Sequence, residues 1–360
     1  MPILSPQQST LLLTCGDPVG IGPEVVLAAW ATPSVHARAR LRVVADSNTV
    51  AIALAGSRLP VPLAVTIIQA DDDRLSSPNT LLVIQPPQTQ FDQDVHPSPG
   101  VASAAGGRCA AVAVQTAFSI VRRGLAQAIV TGPLHKEALR AAGYTAPGHT
   151  ELLARACGLP DSSASMMLWL PLHDASNVGD HSAGLGVVHA TLHESLADAL
   201  AHLSTEGIVQ AGLRLNALLA AILGRTPRIA VAALNPHAGE AGLFGDEESR
   251  IIRPAVVRLA EAGIEVSGPL PADTLFLRAS RGNFDGVVAL YHDQGHIPIK
   301  LLGMHRAVNI TLGLPLVRTS VAHGTAFDIV GTGAADPTSM LSAIDVAVRL
   351  VEAGWPVVQP

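Results

Sequence analysis

Apolar residues along the 360-residue chain gather in short continuous runs, separated by alanine-rich stretches. Leu11–Thr14, Leu41–Val44, Thr80–Ile84, Ala128–Thr131, Gly186–His189, Arg228–Leu234 and Asp285–Tyr291 are such runs. They do not alternate with polar residues, which suits strands buried on both faces of a parallel sheet. The spacing predicts helices over Pro23–Trp30, Ala102–Val121, Ser195–Ser204, Glu247–Ala262 and Ser339–Ala353, the last after an Asp-Pro-Thr stop. Strand and helix alternating from end to end predicts an α/β fold. At about 150 residues per domain the length gives two domains. Pro86–Pro99 reads as a long surface excursion, and Ala146-Pro147-Gly148 marks a domain crossing.

Composition narrows the class. Hydrophobic residues are 48% and charged residues 14%, which excludes a disordered chain or a coiled coil. The net charge is −6, and no run of Lys or Arg occurs. A nucleic-acid partner is therefore not expected, since it needs a basic footprint. Mean hydropathy is high at +0.36, yet charges or prolines break every apolar run before about 18 residues, so no membrane span is expected. Met1–Thr10 lacks a basic residue and has no signal-peptide pattern. Cys15, Cys109 and Cys157 are too scattered for a disulfide framework or a Cys-only metal site. The reading is a cytoplasmic globular protein.

Candidate chemistry lies in a few stretches. Gly16-Asp17-Pro18-Val19-Gly20-Ile21-Gly22-Pro23-Glu24 sits between a strand and a helix but lacks the third glycine of a dinucleotide loop. A structural turn is the competing reading. Of fourteen histidines, His193, His237 and His292 stand just beyond apolar strands, where α/β sheets collect ligands. Three imidazoles there can form an open metal site, or can be three separate loop histidines. Lys300, Asn309 and Arg318 are spaced nine residues apart among apolar neighbours. Desolvated cations need an anion, either a substrate group or an internal carboxylate.

At these residues the sequence resembles the 4-hydroxythreonine-4-phosphate dehydrogenases of pyridoxal phosphate biosynthesis, along essentially the whole chain. Pro147-Gly148-His149-Thr150-Glu151 matches the family's substrate loop. Asn235 to Glu240 and Tyr291 to Gly295 match its metal-ligand segments, and Pro269–Phe276, with Asp273, matches another active-site loop. His323-Gly324-Thr325-Ala326-Phe327-Asp328 resembles the adenine-side loop shared with isocitrate dehydrogenase. The resemblance implies two α/β/α domains with a cleft between them, of isocitrate-dehydrogenase type. Residues 1–145 with 329–360 would form the first and 146–328 the second.

The resemblance also implies NAD- or NADP-dependent oxidation of a β-hydroxy acid followed by decarboxylation, with 4-phosphooxy-L-threonine as the expected substrate. It implies a homodimer with shared active sites. One divalent ion per site, zinc foremost, with cobalt, magnesium or manganese as alternatives, would bind His193 and His237 of one subunit and His292 of the other. His149, Thr150, Lys300, Asn309 and Arg318 would bind the small anionic substrate. His323, Gly324, Thr325, Ala326 and Asp328 would bind the cofactor. Asp273, Asp293 and Lys300 are the candidates for proton handling.

Several residues depart from that pattern. His135 stands where the family usually has Asn, Leu192 replaces a second Thr, and His173–Gly184 looks like an added loop. The segments 188–195 and 295–302 resemble a branch that oxidises terephthalate cis-dihydrodiol dicarboxylates. Asn309 and Arg318 favour a phosphate. A non-catalytic binder of an anionic metabolite is the alternative from another class.

Overall fold

A computed structural model describes residues 8–56, 59, 62–87, 98–172 and 184–356. Most of the expected excursion Pro86–Pro99 and of the added loop His173–Gly184 lies outside the described residues. The chain divides into two compact units, residues 1–165 with 313–360 and residues 166–312. The expected division put the crossings at 145/146 and 328/329. His149, Thr150, Arg318 and the 323–328 loop therefore belong to the first unit, because the helix and strand that carry them pack there.

The first unit opens with β1 (Thr10–Thr14), α1 (Gly22–Trp30), α2 (Pro33–Arg38), β2 (Arg40–Val44), α3 (Ser47–Gly56), β3 (Ala64–Ile67) and β4 (Thr80–Ile84). It continues through α4 (Ala104–Arg122), β5 (Ala128–Thr131), α5 (Lys136–Ala141) and α6 (His149–Ala156). The second unit contains β6 (Ser165–Pro171), β7 (Gly184–His189), α7 (Leu196–His202), α8 (Thr205–Leu223), β8 (Ile229–Ala232) and α9 (Arg253–Glu261). It closes with β9 (Val266–Leu270), α10 (Ala272–Ser280), β10 (Gly286–Ala289), α11 (His292–Gly303) and β11 (Val308–Leu312). The chain then returns to the first unit with β12 (Val317–Val321) and α12 (Thr338–Glu352).

Strand order in the first unit is β3-β4-β2-β1-β5-β12, and these pairs are parallel. α4 and α12 both pack on β1 and β5, which are buried throughout their centres. Leu11, Leu12, Leu13, Ile129 and Val130 are fully buried, as expected for a strand covered on both faces. In the second unit the order is β11-β6-β7-β10-β8-β9. β7, β10, β8 and β9 run parallel, but β6 pairs antiparallel with β7. α8 and α11 both pack against β7 and β10.

The long helices start where side chains can cap them. Ser103 accepts from the Gly106 N–H ahead of α4, and Ser204 accepts from Gly207 ahead of α8. Both helices have 19 residues and are long and apolar enough to cross a membrane by length and composition alone. This corrects the expectation that no such segment exists, because single arginines (Arg108, Arg214) interrupt the apolar runs without ending the helices. Each helix lays its apolar face on a sheet: α4 on β1, β2 and β5, and α8 on β7 and β10.

Candidate active site

In the first unit the parallel pairing brings the ends of β1, β5 and β12 to one edge of the sheet. Ligand sites form at the carboxyl ends of such strands. Arg318 lies on β12 and is 3% exposed, and its Nη2 donates to Thr131 Oγ1 on β5 at 2.6 Å. Burial lowers its pKa to about 10, against the opposing pull of Glu151. His149 opens α6, behind the extended residue Gly148. Burial, and then the Arg318 charge, hold its imidazole well below the usual histidine range. His149 Nε2 is buried and has no hydrogen-bond partner. A buried cation beside an unpartnered imidazole nitrogen forms a pocket suited to an anion. Thr150, half-buried, follows on the first turn of the same helix.

The loop that should take the cofactor also lies at this edge. Thr325 is buried, and its carbonyl accepts the Ile21 N–H at 2.9 Å. A side chain at Gly20 would sit 2.8 Å from that same carbonyl, so only glycine permits the approach. Phe327 stacks on His135 with ring centroids 5.0 Å apart, and Gly331 donates to Glu24 at 2.8 Å. The glycine stretch 16–24 and the stretch 323–328 are therefore one packed assembly. Gly324 faces open space, Ala326 has φ 42°, Asp328 is exposed, and His323 Nε2 is buried without a partner.

Asp17 gave no site signal beyond its turn. It is fully buried, accepts the Val19 N–H with one oxygen, and leaves Oδ2 unpartnered. Burial raises its carboxyl pKa, against the Val19 N–H and the charge of His135.

In the second unit the strands that carry the expected metal ligands end at one edge as well, since β7, β10 and β8 are parallel neighbours. His193 follows β7 and His292 opens α11, and their ring centroids are 5.9 Å apart. They share a cavity of about 550 Å³ with Glu194, Leu196, Tyr291 and Asp293. His292 Nδ1 donates to Asp293 at 2.6 Å, which leaves Nε2 for a ligand. His237 repeats the arrangement, with Nδ1 donating to Glu240 at 3.0 Å. A carboxylate on the far nitrogen is the usual partner of a metal-bound imidazole. His237 is not gathered with the other two: among the described residues no three His, Cys, Asp or Glu side chains stand close enough to hold an ion.

The turn that carries His237 is unusual. His237, Ala238, Gly239, Glu240 and Ala241 all have left-handed backbone, with φ between 44° and 77°. Each non-glycine residue there costs roughly 1–2 kcal/mol.

Lys300 is exposed on α11, two turns beyond His292, and Asp273 is exposed in the first turn of α10. α10 packs against both α11 and the turn 236–242. Asn309 lies on β11 with its Oδ1 buried and unpartnered.

His189 and His296 were missed. His296 Nδ1 donates to the His292 carbonyl and points at His189 Nε2, each at 3.1 Å, and its ring stacks on His292 at 3.8 Å. Burial first, and neighbouring imidazoles second, lower His189 to about 3 and His296 to about 4. The His292-x-x-x-His296 spacing was a readable signal, hidden by Gly295 and Pro298, which break the helical pattern.

Residues 37–347 match the family described as pyridoxal phosphate biosynthetic protein PdxA. A D-threonate 4-phosphate dehydrogenase from Cupriavidus necator is 44% identical over 345 residues, which is 94% of this chain and 96% of that one. The crystal structure of a 4-hydroxythreonine-4-phosphate dehydrogenase from Klebsiella pneumoniae superposes with a TM-score of 0.79 at 40% identity, covering 95% of this chain and 99% of that one. A terephthalate 1,2-cis-dihydrodiol dehydrogenase from Burkholderia xenovorans gives 0.62 at 29% identity, covering 95% and 98%.

Proposed function

The chain belongs to the PdxA family, and from that premise we propose that it is a metal-dependent, NAD(P)-linked dehydrogenase that oxidises and decarboxylates a phosphorylated four-carbon 3-hydroxy acid. The observation that carries the phosphate end is the buried Arg318 beside the unpartnered Nε2 of His149. With Thr150, Lys300 and Asn309 these residues would bind the phosphate. The terephthalate dihydrodiol is the second reading, favoured by the 0.62 superposition. The names of the relatives divide the phosphorylated substrates in two, 4-hydroxythreonine 4-phosphate and D-threonate 4-phosphate. The two compounds differ at C2, where one has an amine and the other a hydroxyl.

His193, His237 and His292 would hold the divalent ion, in a site shared between two chains. The Nδ1–carboxylate bonds of His237 and His292 support this, since they orient Nε2 as a donor. When bound, the ion supplies Lewis-acid polarisation of the substrate's reacting oxygen. The 323–328 loop would take the adenine side of NAD or NADP, and the unpartnered His323 Nε2 and the space beside Gly324 fit such a group. When bound, NAD or NADP would accept the hydride that leaves C3, and the substrate's own hydroxyl would give up its proton. The C1–C2 bond then breaks, CO2 departs, and a proton arrives at C2. Asp273 and Lys300 would handle these protons, while Asp293 holds His292 in register.

NAD(P)⁺ reduction should be measured with 4-phosphooxy-L-threonine, D-threonate 4-phosphate and the terephthalate dihydrodiol, each with and without a chelator. Chelator-sensitive turnover of a phosphorylated substrate is expected. Turnover of the dihydrodiol alone would move the chain to the second reading. Binding without any reduction would sink the enzyme assignment.

A further inference from the structure

The left-handed turn 237–241 does not hold its shape by its own sequence. Four of its five residues are not glycine, and such a run persists only where its surroundings over-determine it. Its surroundings centre on one carboxylate. Glu248 is 4% exposed and opens a π turn, Glu248–Ile252, that leads into α9. Its Oε1 accepts the N–H groups of Leu234 at 2.9 Å and Asn235 at 2.7 Å. Its Oε2 accepts Asn235 Nδ2 at 2.9 Å, and Glu247 Oε2 accepts the same nitrogen at 2.7 Å. The entry to the turn is thus tied to Glu248 through both backbone and side chain. The middle of the turn folds onto it too, since a Cβ at Gly239 would lie 2.7 Å from Glu248 Oε2.

We propose that Glu248 is the positioning residue that fixes the left-handed turn and so aims His237 at the metal. The second half rests on the metal reading given above; the first half stands on the geometry alone. Glu248 touches neither the ion nor the substrate in this scheme. Every side-chain hydrogen bond that it makes goes to Leu234 or Asn235, upstream of His237, so loss of its carboxylate should loosen the ligand and leave its chemistry intact.

Two measurements on the full-length protein separate the halves. Amide hydrogen exchange across residues 234–241, in metal-free protein, reads the turn directly. Glu248→Ala should speed exchange there at least tenfold, with exchange in β7 and β10 unchanged. Glu248→Gln keeps one carbonyl oxygen for Leu234 and Asn235 but turns an amide toward Asn235 Nδ2; a smaller acceleration is expected. This variant carries the test if Glu248→Ala does not fold. The second measurement is Co²⁺ affinity, read from its visible absorption below the melting temperature. Glu248→Ala should weaken it roughly ten- to hundredfold, the range seen when partners outside the ligand set are lost. Excess Co²⁺ should restore turnover, which it would not do after a general loss of stability.

Unchanged exchange in both variants would overturn the proposal. Faster exchange with unaltered Co²⁺ affinity, in a protein whose affinity collapses in His237→Ala, would overturn the aiming role. If His237→Ala itself binds Co²⁺ normally, the metal reading fails; faster exchange would still support Glu248's hold on the turn.

Discussion

Arg318 on β12 donates to Thr131 on β5 at 2.6 Å, and both residues are buried. The bond points a guanidinium at the carboxyl edge of the first unit's sheet, near His149. A charge-assisted hydrogen bond from Arg is worth about 1.5–3 kcal/mol. Arg318→Ala should therefore lower kcat/KM at least tenfold to a hundredfold. Arg318→Lys should recover only part of the loss, because an ammonium cannot make the planar fork. Thr131→Val should cost less, roughly threefold to tenfold, by freeing the guanidinium's orientation. Equal effects of all three substitutions in steady-state kinetics would contradict this arrangement.

The same pocket distinguishes phosphate from carboxylate. Burial, and then the Arg318 charge, push the His149 imidazole below the usual histidine range and favour its neutral form. A phosphate dianion should lose affinity below its second pKa of about 6, whereas a carboxylate stays ionised to about pH 4. Substrate affinity should fall between pH 7.5 and 5.5 at constant metal occupancy. A flat profile would point to the dicarboxylate.

Subunit mixing tests whether the proposed metal site is shared between chains. The resemblance assigns His193 and His237 to one chain and His292 to the other, yet His193 and His292 lie 5.9 Å apart within one chain. If the two ligands of one site come from different chains, a dimer of His193→Ala with His292→Ala has one intact site. Such mixtures should regain up to half of wild-type activity per mixed dimer. No recovery, with exchange of subunits confirmed by mass, would place His193 and His292 in the same site from the same chain.

Cofactor affinity should separate two glycines. Gly324 has nothing within 4 Å of an added Cβ, so Gly324→Val should leave the melting temperature unchanged and raise the cofactor KM. Gly20→Val meets Thr325 at 2.8 Å and should lower the melting temperature as well. A Gly324 variant with normal KM would move the dinucleotide elsewhere.

Acid stability should depend on Asp285. Burial alone would raise its carboxyl, but hydrogen bonds from Arg225 and Arg228 outweigh burial and set it at about 2. An unfolded Asp titrates near 3.9. The contribution is therefore complete above about pH 4 and is lost as pH falls through 2. Asp285→Asn should lower stability at neutral pH and flatten the acid limb between pH 4 and 2. An unchanged denaturation profile over that window would refute the assignment.

Much of the fold was legible because the central strands are unbroken apolar runs. β1, β4, β5, β7, β8 and β10 were marked by runs of Val, Leu, Ile and Ala, and β2 was marked by Leu41, Val43 and Val44 around the buried Arg42. The strands that went unseen include β11 and β12, interrupted by Asn309 and Arg318, and β9, which contains Gly268-Pro269. In β11 and β12 the expected site residues themselves hid the strands that carry them. α11 was hidden the same way, by Gly295 and Pro298 beside His292 and His296. The left-handed turn left no trace, since its conformation comes from Glu248 and not from its own residues.

The first unit is assembled from both ends of the chain, with residues 166–312 between them. During synthesis, β1, β5 and α6 emerge early, and His149 emerges with them. Their partners β12 and α12, with Arg318 and the loop that bonds Ile21, leave the ribosome only after the whole second unit. Domains that fold as units can fold as they emerge, so the second unit can fold first although it begins later. The first unit must wait with a buried-type sheet edge at β5 uncovered, and its anion pocket is the last part of the molecule to form. A nascent chain arrested before Val317 should therefore present an intact histidine cluster and no phosphate site.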